Sequence, residues 1–173
     1  MEKQITTPAV KGIIISLLLI VYGLVLYFTD QFANKALGYV QYVILIGGIV
    51  WACISYAKQM NSDVTFGNVF AHGFKTTAAI TAIMCVYTFI SMKFLFPDMV
   101  DKIIDVAREN MQEQNNLDEA QIDKALEMTR EYFMPFAIGG ILIMFGIVGA
   151  IASLIGAAVS KKKPQDPFGQ PQL

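Results

Sequence analysis

Windows free of Asp, Glu, Lys and Arg alternate along this chain with short charged stretches. Four such windows stand out: Gly12 to Thr29, Ala36 to Ala57, Thr76 to Met92 and Tyr132 to Ser160. A helix rises about 1.5 Å per residue, so roughly 20 residues cross the hydrocarbon of a bilayer. The second and fourth windows reach that length. The first and third fall slightly short, and flanking lysines that snorkel extend them. Helices at the surface of a soluble core keep a polar stripe at helical period. Neither Ile13 through Val21 nor Ile138 through Ile155 has one. The pattern therefore predicts an all-α integral membrane protein with four transmembrane helices, over about residues 12–29, 37–57, 70–94 and 134–160.

The segments between the windows carry their own periodicities. Asn61 to Thr65 supplies helix-capping residue types, and Phe66, Phe70 and Phe74 recur four apart behind it. The third helix is thus predicted to start near Thr65. Its reach to Phe96 is about 48 Å at helical rise, so tilt or an interfacial first part must absorb the excess. Pro97 breaks the chain after that span. Met99, Val100, Ile103, Ile104, Ala107 and Met111 then share one helical face, opposite Asp101, Asp105, Arg108 and Glu109. After a break at Gln112 to Asn116, a second stripe runs through Ile122, Ala125, Leu126, Thr129 and Phe133. Asn116 with Glu119 resembles a capping box for it. An amphipathic helical hairpin over residues 97–131 is expected between spans three and four, with Pro135 opening a new helix or kinking the old one. Residues 1–163 form one four-span domain on this reading, and the Pro/Gln/Gly-rich residues 164–173 a disordered cytoplasmic tail.

Composition agrees with a bilayer. Of the 173 residues 55% are hydrophobic and only 16% charged, against about 25% charged in soluble domains, and the mean hydropathy is +0.51. The net charge of −1 offers no basic surface for nucleic acid. Lys3 and Lys11 precede the first span as in a signal peptide, but Tyr27 to Phe32 offers no small-residue cleavage site, so an uncleaved anchor is expected. Positive charge sets orientation. With the N-terminus inside, the inner side holds Lys3, Lys11, Lys58, Lys75 and Lys161 to Lys163, seven cations against six outside. The three-lysine run directly after the last span decides for both termini cytoplasmic and for the hairpin outside. Tyr27, Phe28, Phe32, Tyr39, Tyr42, Phe94, Phe96, Tyr132, Phe133 and Phe136 then line the outer interface, and Trp51 and Tyr56 the inner one.

Candidate chemistry is sparse. Cys53 and Cys85 each sit in an apolar window and read as small hydrophobes. His72 and Lys75 lie where the third helix enters the bilayer. Intramembrane ionisable groups are functional by default, so a proton relay or an anionic ligand site competes there with a pair at headgroup level. With no acidic residue in any span, the headgroup reading is preferred. Asp118-Glu119 and Asp123-Glu127 lack the alternating ligands and central glycine of a calcium loop. No catalytic, cofactor-binding or metal-binding residue is assigned, no cofactor is expected, and an enzyme is not. Between spans, association in lipid depends on small residues: Gly149, Ser153 and Ala157 in the fourth, Gly73, Thr77, Thr81 and Cys85 in the third, Gly48 and Ala52 in the second.

Thr65-Phe66-Gly67-Asn68-Val69-Phe70-Ala71-His72-Gly73-Phe74, then Phe96-Pro97-Asp98, an acidic amphipathic segment and a last span ending in lysines, resemble the domain-of-unknown-function 4199 family of small bacterial four-helix membrane proteins. The resemblance runs from the first span to Lys163. It implies a multi-pass protein of the bacterial inner membrane and carries over no activity. The expected function is a non-enzymatic scaffold, assembly or regulatory component acting through helix packing and the acidic outer loop, with lipid and a second copy or another membrane protein as partners. The alternative is a subunit of an oligomeric channel or small-solute transporter, with the Thr-rich third span lining a path.

Overall fold

The computed structural model describes residues 5–31, 34–113 and 118–160. The described residues are helical, with no strand among them. α1 spans Pro8–Phe28, α2 Lys35–Gln59, α3 Phe66–Ile90, α4 Asp98–Glu113, α5 Glu119–Glu131 and α6 Phe133–Val159. Four helices are long and apolar enough to cross a membrane: Pro8–Phe28, Ala36–Gln59, Phe66–Leu95 and Phe133–Val159.

Local chemistry sets the ends. Thr7 accepts from the Val10 N–H through its hydroxyl with Pro8 at the first helical position, so α1 starts four residues before its uncharged window. Asn34 caps α2 and Thr65 caps α3 in the same way, at 3.0 and 3.2 Å. α2 ends in a turn where Asn61 and Ser62 take positive φ and the Ser62 N–H closes back on the Ala57 carbonyl at 2.8 Å. Just before Pro97, α3 widens into a π turn over Ser91–Leu95, closed by the Phe96 N–H on the Ser91 carbonyl at 2.7 Å. The buried Ser91 hydroxyl there has no hydrogen-bond partner among the described residues. Pro135 falls in the first turn of α6, where its missing N–H is not needed.

α3 packs against α1, α2 and α6, and α2 against α1 and α6, giving a four-helix bundle with α2 and α3 across its short diagonal. Ile15, Leu19, Leu45, Ile49, Val69, Ile80 and Phe145 fill its core. The small-residue ridges lie at the closest approaches. A Cβ on Gly73 would meet Cys53 Sγ at 2.5 Å and Ser153 Oγ at 2.8 Å, and one on Gly149 would run into Thr77. Gly156 likewise admits Cys53, at 2.7 Å from its missing Cβ, and Gly48 admits Ile15 at 2.9 Å. The four-apart pattern in spans two, three and four is thus used inside the bundle.

α4 and α5 pack on each other at one end of the bundle, antiparallel by their pairs Arg108–Asp123, at 2.7 Å, and Arg130–Asp101. Ile104, Ile122 and Leu126 are buried between them. Asn116, the expected cap of α5, lies outside the described residues. Asp118 is the cap, its N–H donating to Gln121 Oε1 at 3.3 Å, because Gln121 and not Glu119 sits three residues along. Lys102 of α4 reaches Asp30 at the end of α1 at 3.4 Å and Asp98 at 3.5 Å, while the Tyr27 hydroxyl donates to Asp98 at 3.1 Å. Desolvation works against the Lys102 charge, but the hydrogen bond and charge of Asp30, aided by Asp98, outweigh it and hold its pKa above the ordinary lysine value. The Pro/Gln/Gly tail and the lysine run before it lie outside the described residues, as does Phe32.

Candidate functional site

The unusual chemistry lies at the opposite end of the bundle, where α1 starts, α2 ends and α3 starts. The buried face of α1 is Lys11, Gly12, Ile15, Ser16 and Leu19, a stripe of three- and four-residue steps. Lys11 stands on that stripe one turn before Ile15, so its four-carbon stem is carried inward and its side chain is fully buried. α3 brings His72 to the same level on its own buried face, between Val69 and Thr76. α2 contributes Ala52 and Tyr56, one turn apart.

Lys11 Nζ donates to the Ala52 carbonyl at 3.1 Å and lies 3.2 Å from His72 Nε2. The His72 ring stacks on Tyr56 with centroids 4.2 Å apart and planes 12° from parallel, and the ammonium of Lys11 sits 6.0 Å from the same Tyr56 ring. His72 is 6% exposed. An unpaired buried cation is costly. Here a carbonyl dipole, an imidazole lone pair and an aromatic face compensate it, and no ion pair to Lys11 occurs among the described residues. Beside the cluster Gln59 ties the segment before α1 to α2. Its amide donates to the Thr6 hydroxyl and accepts from the Thr6 N–H, both at 3.0 Å.

A cleft of about 430 Å³ opens against this cluster. His72 and Tyr56 form its floor, and Lys75, Asn68, Thr6 and Thr7 its walls. None of the described residues that line it is acidic. Lys75 is exposed there and makes no ion pair among the described residues. His72 and Lys75, one helical turn apart in the sequence, therefore share one cleft but differ in setting: Lys75 lies at the surface and His72 inside the helix packing.

A family model described as a protein of unknown function (DUF4199) matches residues 11–162. The chain belongs to the DUF4199 family. No curated protein and no solved structure matches it. The DUF4199 match begins at Lys11, inside the first turn of α1, and runs past the end of α6. Within it, sequence reasoning singles out His72 with Lys75 but prefers both at headgroup level, and it misses the neighbours that hold His72 in the helix packing. By pattern alone Lys11 reads only as a cation flanking a span, and Tyr56 only as part of an aromatic belt. Gly12 and Ser16, spaced four apart beside Lys11, are the available sign that this face of the first helix turns inward.

The interior hydroxyls point elsewhere. Thr76, Thr77, Thr81 and Ser153 donate to the carbonyls four residues back on their own helices, at 2.9, 3.1, 2.9 and 2.7 Å. They satisfy themselves locally and form no chain of hydrogen bonds from one helix to the next. The Cys53 thiol is buried near the Val69 carbonyl and fills the notch left by Gly73 and Gly156. Cys53 and Cys85 are both free thiols.

Proposed function

We propose that this chain is a non-enzymatic component of the bacterial inner membrane, with both termini cytoplasmic, that assembles with or regulates a membrane partner through its acidic hairpin. The observation that carries this reading is the mounting of α4 and α5. The pair has its own buried cluster and is fastened to the end of α1 through Lys102, Asp30, Asp98 and Tyr27. A hairpin held in this way presents a fixed surface, and Asp105, Glu109, Glu119 and Glu127 remain exposed on it. Such a surface favours partners with complementary positive charge. Cross-linking through Lys124, which is exposed on α5, should trap one reproducible protein partner in native membranes. Recovery of the chain alone or with lipid only would refute this role.

A second reading has one observation in its favour. A buried ionisable pair in a membrane span, here Lys11 with His72, commonly marks a transport path, so a subunit of an oligomeric channel or small-solute transporter is the alternative. The locally bonded hydroxyls of Thr77 and Thr81 weigh against a path along α3. Solute flux through reconstituted protein, lost on changing Thr77 or Thr81 to valine, would reverse the ranking.

A further inference from the structure

We propose that the cleft at the Lys11–His72 end of the bundle binds a phosphate-bearing anion, and this goes beyond the partner role of the hairpin and does not depend on it. The two nitrogens of His72 have different surroundings. Lys11 Nζ lies 3.2 Å from Nε2, and with Lys11 as the ammonium it donates there and the imidazole proton sits on Nδ1. Nδ1 has no hydrogen-bond partner among the described residues, although the side chain is more than nine-tenths buried and lines the cleft. In that tautomer the cleft is lined by an imidazole N–H donor, its ring held by stacking on Tyr56.

The walls add matching chemistry. Lys75 contributes a mobile ammonium, and Asn68 an amide. Thr6 and Thr7 stand where α1 begins, and although Pro8 has no N–H and Thr7 takes that of Val10, the helix dipole adds partial positive charge there. Lys11 lies buried behind His72 and is not itself among the residues that line the cleft. The Lys75 ammonium, the His72 imidazole and a helix start meet at a cleft whose described lining includes no carboxylate. A compact, multiply charged oxyanion with several acceptor oxygens fits that set, whereas a cation or a neutral solute does not. The phosphate of an anionic phospholipid and that of a soluble phosphate ester share this chemistry.

The test uses the full-length chain purified in mild detergent. Binding of inorganic phosphate is followed by calorimetry, and retention of phosphatidylglycerol against phosphatidylcholine by native mass spectrometry. Lys75→Gln should weaken binding about tenfold, the worth of one charge-assisted hydrogen bond, and Lys75→Arg should restore most of it. Lys58→Gln removes an exposed cation at the same end that does not line the cleft, and should change nothing. Phosphate binding that Lys75→Gln weakens supports the site with a soluble ester as occupant. Phosphatidylglycerol retention with the same sensitivity, and no response to phosphate, supports it with a lipid headgroup as occupant. Equal retention of the two lipids without phosphate binding would overturn the proposal, as would equal losses in Lys58→Gln and Lys75→Gln. Because Lys75 is exposed, its variants keep the bundle intact and the result reads on binding.

Discussion

Replacing Gly73 by alanine tests the packing of the bundle with a single methyl group. The added Cβ would stand 2.5 Å from Cys53 Sγ on α2 and 2.8 Å from Ser153 Oγ and 3.0 Å from Ser153 Cβ on α6. These are short side chains on two helices, with little freedom to move aside, so the helices themselves must shift. Overpacking of this kind costs roughly 1–3 kcal/mol. Glycine to alanine within a helix also gains about 0.5–1 kcal/mol in propensity, which would mask part of the loss. Gly47→Ala supplies the reference, since a Cβ there meets nothing within 4 Å. The propensity gain cancels between the two variants, and Gly73→Ala should be the less stable by about 1–3 kcal/mol. Reversible unfolding in mixed micelles, followed by circular dichroism, measures the difference. Adding Cys53→Ala to Gly73→Ala removes the nearest clash and should recover part of the loss, a coupling that a double-mutant cycle isolates. Equal stability of the Gly73 and Gly47 variants would show that α2, α3 and α6 do not meet at Gly73.

Other consequences follow from the two ends of the bundle. Lys11→Ala leaves a cavity and strips His72 Nε2 of its partner, so it should cost about 2–4 kcal/mol. Lys11→Met fills the same space but also leaves Nε2 without that partner, so it should cost about 1–3 kcal/mol and less than the alanine variant, both read in the same unfolding assay. Leu126→Ala should cost the hairpin about 2–3 kcal/mol of its small core, seen as faster amide exchange in α4 and α5 with the bundle unchanged. Because the pKa of Lys102 is raised in the folded chain, its contribution to docking is fully present below the ordinary lysine value of about 10.4 and is lost as pH rises through the folded one. Spin labels at positions 31 and 109 should therefore report a narrow distance distribution at neutral pH that broadens above that range. In Lys102→Met it should be broad throughout.

Much of this architecture is legible in the sequence because a bilayer excludes charge, and soluble folds rarely contain uncharged windows of such length. The small-residue ridges are legible for a related reason. In lipid the close approach of helices rests on residues such as Gly73 and Gly149, and their spacing survives in one dimension. The buried faces of the hairpin can be read from Ile104, Ile122 and Leu126 at helical period. What the charge pattern hides is Lys11. A lysine at the edge of an apolar window marks where lipid ends, yet Thr7 and Pro8 start the helix a turn earlier and carry Lys11 into the packing. The meeting of Lys11, Tyr56 and His72 joins residues up to 61 positions apart in the chain, a contact that no local period encodes. The cap of α5 is misplaced by pattern for a simpler reason: two overlapping capping patterns occur in succession, and the one completed by Gln121 prevails.

That the hairpin and the His72 cleft face opposite sides of the membrane is the central claim, and cysteine labelling in intact cells tests it most directly. In a chain with Cys53→Ala and Cys85→Ala, single cysteines at Glu109 on α4 and at Asp63 in the α2–α3 turn, both exposed, are challenged with a membrane-impermeant maleimide. Position 109 should label from outside at once, and position 63 only after the membrane is opened. Labelling of both positions in intact cells, or of neither until the membrane is opened, would contradict the claim, and labelling of position 63 alone would reverse the proposed orientation.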